Sequence, residues 1–258
     1  MKKVIKIIPA ILMIATIVSC KKKDVEAIDF SEIKSNPSVR YRVIKKSAAI
    51  RDYSSINSKI VRTESAGEVV NIDPRSVSEG IPETVEGKAG RWLKLTDSST
   101  PCFVFSTEVK PESDLFKDPF SKDNEIVYKK YYYGENCSGD GFSADSMVNL
   151  EFKDDNVISF EWKPVGETII FNGKYQKIHD HVYVRLKEKI VFETDESNSE
   201  MVKEIKTPIE SNLILKFMRC PEEGHSEMLL KTFYYNKAET YFPDTTYYSN
   251  GYWREGNW

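Results

Sequence analysis

The chain has 258 residues, with 37 Lys+Arg against 40 Asp+Glu, a formal net charge of −3 and 12% aromatic residues. A mildly acidic chain without a basic block argues against a nucleic-acid binder, because such binding rests on Lys and Arg neutralising phosphates. Abundant Tyr, Phe, Val and Ile, with scattered Gly and Pro and no long 3.6-residue apolar period or internal repeat, predict an all-β protein.

In chain order, Lys2, Lys3 and Lys6 precede an apolar run from Ile7 to Val18 and then the small residue Ser19. A basic stretch, a short apolar stretch and a small residue at the cut site mark an export signal. The run is too short for a transmembrane helix, which needs roughly 18 apolar residues. A plain cleaved signal would leave the cysteine at the cut site unexplained. The tetrad Ile17-Val18-Ser19-Cys20 resembles the lipobox of bacterial lipoproteins. That resemblance implies that residues 1–19 are removed and that the Cys20 thiol carries a diacylglycerol, usually with a further acyl chain on the new amino terminus. The partner implied is a membrane, and the location the bacterial cell envelope. Each buried CH₂ contributes about 0.8 kcal/mol, so two or more acyl chains hold a soluble domain stably. Lys21 after the cysteine resembles the pattern that does not retain lipoproteins at the inner membrane, which favours the outer membrane or cell surface.

Removing the leader leaves about 240 residues, room for one large domain or two small ones. Residues 20–38 are polar after Lys21-Lys22-Lys23, end at Asn36-Pro37 and have no face to bury, so they are expected to be a lipid-anchored tether.

Residues 39–110 make the first compact unit. Arg40-Tyr41-Arg42-Val43-Ile44, Ala48-Ala49-Ile50-Arg51, Lys59-Ile60-Val61, Gly67 through Ile72, Arg91-Trp92-Leu93-Lys94-Leu95 and Cys102-Phe103-Val104-Phe105 read as short strands. The connection from Asp73 to Gly90 carries Pro74, Gly80, Pro82 and Gly87 and reads as a surface loop. The order Ala49-Ile50-Arg51, Lys59-Ile60-Val61, Gly67 with Val69-Val70, Trp92-Leu93-Lys94-Leu95 and Phe103-Val104 resembles a bacterial SH3 (SH3b) domain. Two family turns differ: Asp52-Tyr53-Ser54 replaces a Gly-Pro turn, and Cys102-Phe103 replaces the closing Gly-Trp. The resemblance implies a small barrel that acts as an interaction module, often for cell-wall peptides or peptidoglycan. The candidate binding face is Tyr41, Arg51, Tyr53, Trp92 and Phe103, with Arg62 at its edge, because flat rings suit extended peptides at low entropic cost. The simpler and preferred reading of Trp92 and Phe103 is as core residues of such a barrel.

Residues 111–124, polar and holding Pro111 and Pro119, are the expected connector; Leu115, Phe116 and Phe120 give it the means to pack against a neighbour. Residues 125–258 form the second unit, an antiparallel β barrel or sandwich. Strands read at Met147–Lys153, Val157–Trp162, Thr168–Phe171, Val182–Leu186, Lys189–Thr194, Asn212–Met218 and Met228–Tyr235. Phe171-Asn172-Gly173-Lys174-Tyr175, a turn, and Val182-Tyr183-Val184 are similar to a hairpin of small lipocalin-like barrels, which implies a small-ligand site as the alternative function. The ring-rich tail from Tyr241 to Trp258 is expected to close this unit as a last strand.

Cys102, Cys137 and Cys220 remain besides Cys20, and export favours a disulfide. Cys137–Cys220 is the pairing expected, with Cys102 a buried apolar thiol in the first barrel, although three single pairings are open. His179 and His181 on one strand face, with Glu222 or Glu223, would make a metal site; a polar turn at His179-Asp180-His181 is the preferred reading, so no metal and no cofactor is assigned. No catalytic motif is present, and the chain reads as a binding or scaffold protein, not an enzyme.

Overall fold

A computed structural model describes residues 38–117, 129–134, 148–163, 167–194, 201–220, 228–235 and 252–255. The leader, Cys20, nearly all of the tether, Phe120, Cys137, Glu222, Glu223 and most of the ring-rich tail lie outside the described residues. The described chain is nearly all β, as composition predicts.

The first unit has two small sheets. One is β4 (Val69–Ile72), β1 (Val39–Val43) and β8 (Val109–Pro111), in that order. The other is β3 (Ile60–Ser65), β2 (Ser47–Arg51), β7 (Phe103–Phe105), β6 (Lys88–Lys94) and β5 (Pro82–Val85). A bridge from Ile72 to Leu95 joins them. Alternation along each strand turns Val43, Ile50, Val70, Ile72, Leu93 and Val104 into one shared core. The connection from Asp73 to Gly90 is not a plain loop. Asp73 caps a short helix, α1 (Pro74–Glu79), its carboxylate accepting from Arg75 N–H at 3.0 Å, and proline occupies the first turn. β5 and β6 then form a hairpin, Val85 opposite Lys88, whose turn residues Glu86 and Gly87 both have positive φ.

The second unit is a closed eight-stranded meander. β9 (Lys129–Gly134), β10 (Val148–Lys153), β11 (Val157–Trp162), β12 (Glu167–Ile178), β13 (His181–Thr194), β14 (Met201–Arg219), β15 (Met228–Tyr235) and β16 (Tyr252–Glu255) pair in sequence, and β16 pairs back on β9. Eight strands enclose a space that side chains can fill. Here Leu150, Phe152, Phe160, Phe171, Tyr175 and Trp253 fill it. Phe152 meets Tyr175 edge-on at 4.8 Å and Phe160 meets Trp253 at 5.8 Å, so the interior is cross-braced by rings.

Two differences from the sequence reading have local causes. The segments expected at Val182–Leu186 and Lys189–Thr194 are one strand, with a register shift between Leu186 and Glu188. The bulge changes which parity faces inward, from Leu186 to Val191, and so imitates a break in the pattern. Asn172-Gly173 is likewise a bulge inside β12, where a Cβ on Gly173 would lie 2.3 Å from the Arg185 carbonyl oxygen. β12 thus continues past Phe171, where the strand was expected to end, and the turn expected at His179-Asp180-His181 is formed by His179-Asp180, with Ile178 opposite His181.

Candidate functional site

β pairing decides which candidate residues share a surface. Residues directly opposite one another in neighbouring strands project to the same side. Ile60 lies opposite Arg51, Arg51 opposite Phe103, Phe103 opposite Lys94, and Phe105 opposite Trp92. Arg51, Trp92 and Phe103 therefore stand on one side of the five-stranded sheet, away from the core lined by Ile50, Leu93 and Val104. Trp92, Phe105 and Val85 pack into a second small cluster there, with half-buried Phe103 against it. The indole and the Phe105 ring are 5.2 Å apart. The indole N–H donates to a Glu83 Oε2 only 2.5 Å away, and Ile56 N–H donates to the same oxygen at 3.2 Å.

Tyr53 completes the surface from a loop. It is 64% exposed and stands edge-on to Phe103 at 6.4 Å. The loop that carries it is closed by Asp52 N–H to the Lys59 carbonyl at 3.1 Å and Lys59 N–H to Asp52 Oδ1 at 3.1 Å. The Arg51 guanidinium donates to the Ser58 carbonyl and anchors the far side of the loop. These bonds fix the backbone that carries the ring, so a contact made through Tyr53 would need little ordering of the loop. Ile56 and Ile60 extend the apolar rim.

Of the five residues expected on this face, Arg51, Tyr53, Trp92 and Phe103 are brought together and Tyr41 is not. Tyr41 sits in the other sheet, opposite Val70 and Pro111, and is buried in the first core. Its phenol is held above its ordinary range by burial, with the Asp114 charge adding to the effect. Trp92 is 2% exposed, so it supports the platform from below and Tyr53 and Phe103 form its contact surface. Ile56, Ile60 and Glu83 were not anticipated. They belong to a loop and to strand ends, and only the β register brings them to this face. A groove of about 510 Å³, lined by polar and apolar groups alike, adjoins it at Lys94 and runs past Asp73, Pro74, Arg75, Leu95 and Ser98.

The histidine pair lies elsewhere. His179, in a left-handed conformation at φ 55°, places Nε2 3.0 Å from the Ile44 carbonyl oxygen. The His181 ring is buried, with Nδ1 2.7 Å from Asp180 Oδ1. Among the described residues no group of His, Cys, Asp and Glu is arranged to hold a metal. Cys102 is buried as expected but is disulfide-bonded, which corrects its reading as a thiol. Cys220 is also disulfide-bonded, and Cys137 lies outside the described residues. Among the described residues no helix is long and apolar enough to cross a membrane. Comparison with known proteins returns no matching family model, no matching curated protein and no matching solved structure.

Proposed function

We propose that this chain is a lipid-anchored cell-envelope binding protein, attached through Cys20 and contacting the cell wall or an envelope protein with the aromatic platform of its first unit. The observation that carries this reading is Tyr53, 64% exposed yet braced against Phe103 on a hydrogen-bonded loop. With exposed Ile56 and Ile60 beside it, the ring is part of a contiguous apolar surface, and such surfaces suit flat, extended ligands. The SH3b-like order of segments is consistent with this role. No step of it calls for catalysis or a cofactor.

The test uses the full chain with its lipid removed, incubated with purified peptidoglycan sacculi and, separately, with an envelope extract. Retention that resists salt and is lost on Tyr53→Ala, with the fold intact, supports the proposal. Retention unchanged by both Tyr53→Ala and Phe103→Ala excludes the platform. Trp92→Ala is a poor probe, because that indole is buried and its loss reports on folding.

A second reading, small-ligand binding inside the barrel, draws on the closed eight-stranded meander. The rings of Phe152, Phe160, Tyr175 and Trp253 occupy that interior, so this reading requires them to move. An apolar molecule carried by the purified chain in native mass spectrometry would favour it.

A further inference from the structure

The first unit and the barrel meet through a set of buried residues that centres on a histidine. Leu115 and Phe116, from the turn at Glu112–Phe116, pack with Tyr183 and Ile214 on the outer side of β13 and β14. Beside them the His181 ring, 1% exposed, lies under the backbone of Gly67, where a Cβ would be 2.2 Å from Nε2. The Gly67 carbonyl accepts from Arg42 Nη1 at 2.7 Å, and Arg42 Nε is 2.8 Å from Glu112 Oε2. Imidazole, glycine backbone, guanidinium and carboxylate thus form a continuous path across the junction.

We infer that this junction is an acid-released latch, in which protonation of His181 separates the first unit from the barrel. Among the described residues, charged groups face the ring from three elements. Asp180 contacts it from its own turn, Lys216 comes from β14, and Arg42 comes from β1 with Glu112 of the connecting turn behind it. Asp180 is half committed elsewhere, its other oxygen lying 3.9 Å from Lys216 Nζ, and it is itself 43% exposed. Burial is the largest influence on the ring and holds it neutral. Asp180 opposes this, while Lys216 and Arg42 reinforce it. The Gly67 backbone covering the ring leaves no room for water to solvate a new charge.

The sign follows from proton counting. In the closed junction His181 protonates below its ordinary 6.5, whereas a released, solvated ring protonates near that value. The released form therefore binds more protons, and acidification favours it. Closure is complete above pH 6.5 and is lost as pH falls through that value toward the lowered one. Over that window the opening constant rises up to about tenfold per pH unit.

Hydrogen exchange of the full chain in detergent between pH 7.5 and 5.0, corrected for the intrinsic rate, tests the latch. The amides of Leu115 and Phe116 are expected to exchange at least tenfold faster at the acid end, while those of Tyr183 and Ile214, paired within the β13–β14 ladder, and of Leu150 and Phe152 in the barrel wall do not. His181→Gln, neutral throughout, is expected to abolish the difference. The same acid response in His181→Gln, or no response in the native chain, overturns the proposal. Should His181→Gln fail to fold, ring titration by NMR in the native chain decides the matter. A midpoint below 6.5 that coincides with junction opening supports the latch, and a midpoint at 6.5 with the junction still protected overturns it.

Discussion

Two outer sheet surfaces of this molecule carry rings and branched apolar side chains, and they are finished differently. On the barrel, Tyr183 and Ile214 point away from the filled interior, yet both are fully buried because Leu115 and Phe116 lie over them. On the first unit, Trp92 and Phe105 are buried beneath Val85 and half-buried Phe103, while Tyr53, Ile56 and Ile60 stay open to solvent. One apolar surface is covered by the chain itself and the other is left exposed on a rigid base. The covered surface joins the two units, and the open one is the contact surface of the proposed function. Substitutions at the two surfaces should therefore act on different quantities, stability in one case and binding in the other.

At the covered surface the largest effect is expected at Leu115→Ala. This side chain has no exposed surface and fills the junction between β13, β14 and the first unit, so its removal leaves a cavity costing about 3 kcal/mol. Thermal unfolding followed by circular dichroism should show the loss, accompanied by decoupling of the two units. Gly67→Ala comes next. The backbone there has φ 79°, and the added methyl would collide with His181, so a loss of about 2 kcal/mol is expected from strain and displacement together. If the melting temperature of Gly67→Ala matched that of the native chain, the ring would not be held where it is described. Tyr183→Phe separates packing from polarity at the same place. Burial pushes the Tyr183 phenol up to about 12, Arg42 opposes that shift and Glu112 and Asp180 add to it, and its oxygen has no hydrogen-bond partner among the described residues. Removing the hydroxyl should change stability at neutral pH by less than about 1 kcal/mol. The phenol stays neutral in the folded state to a higher pH than in the unfolded chain. Its contribution is thus present below pH 10 and lost as pH rises toward about 12. The Phe variant should lose less stability than the native chain across that interval.

Much of the fold was legible because alternation is a strong signal where one side of a strand is buried. Val157–Trp162 and Met228–Tyr235 have the boundaries that the residues suggest, and Asp154-Asp155-Asn156 contains a turn with positive φ at Asp155 and Asn156. The misread places are those where geometry interrupts alternation without ending a strand. The bulge at Leu186/Glu188 changes the inward parity and looks like a break; Asn172-Gly173 has turn composition but serves a bulge. Between Asp73 and Gly90, proline and glycine counts suggested a loop, whereas the capping aspartate before Pro74 was the informative signal for a helix. At the candidate site the residue types were readable and their grouping only in part. Arg51, Tyr53, Trp92 and Phe103 do assemble, but Tyr41 faces the first core because its strand belongs to the other sheet. No pattern within β13 marks His181 and Tyr183 as buried, since what buries them arrives from residues some seventy positions earlier in one case and over a hundred in the other.

The smallest stability change is expected at Tyr53→Ala, and it is the most informative one for function. The ring is mostly in solvent and touches Phe103 only edge-on, so truncation removes little buried area and should cost less than about 1 kcal/mol. The loop beneath it is closed by backbone groups and by Asp52, Ser58 and Arg51, none of which needs the phenol. Trp92→Ala on the same sheet side removes a buried indole that donates to Glu83 and should cost about 3 kcal/mol or more. Comparing the pair by thermal melting and by retention on sacculi separates support from contact. If the platform binds through its rim, Tyr53→Ala keeps the native melting temperature and loses retention. If Tyr53→Ala instead melts as early as Trp92→Ala, the exposed ring is part of the fold's support and the contrast between the covered and open surfaces fails.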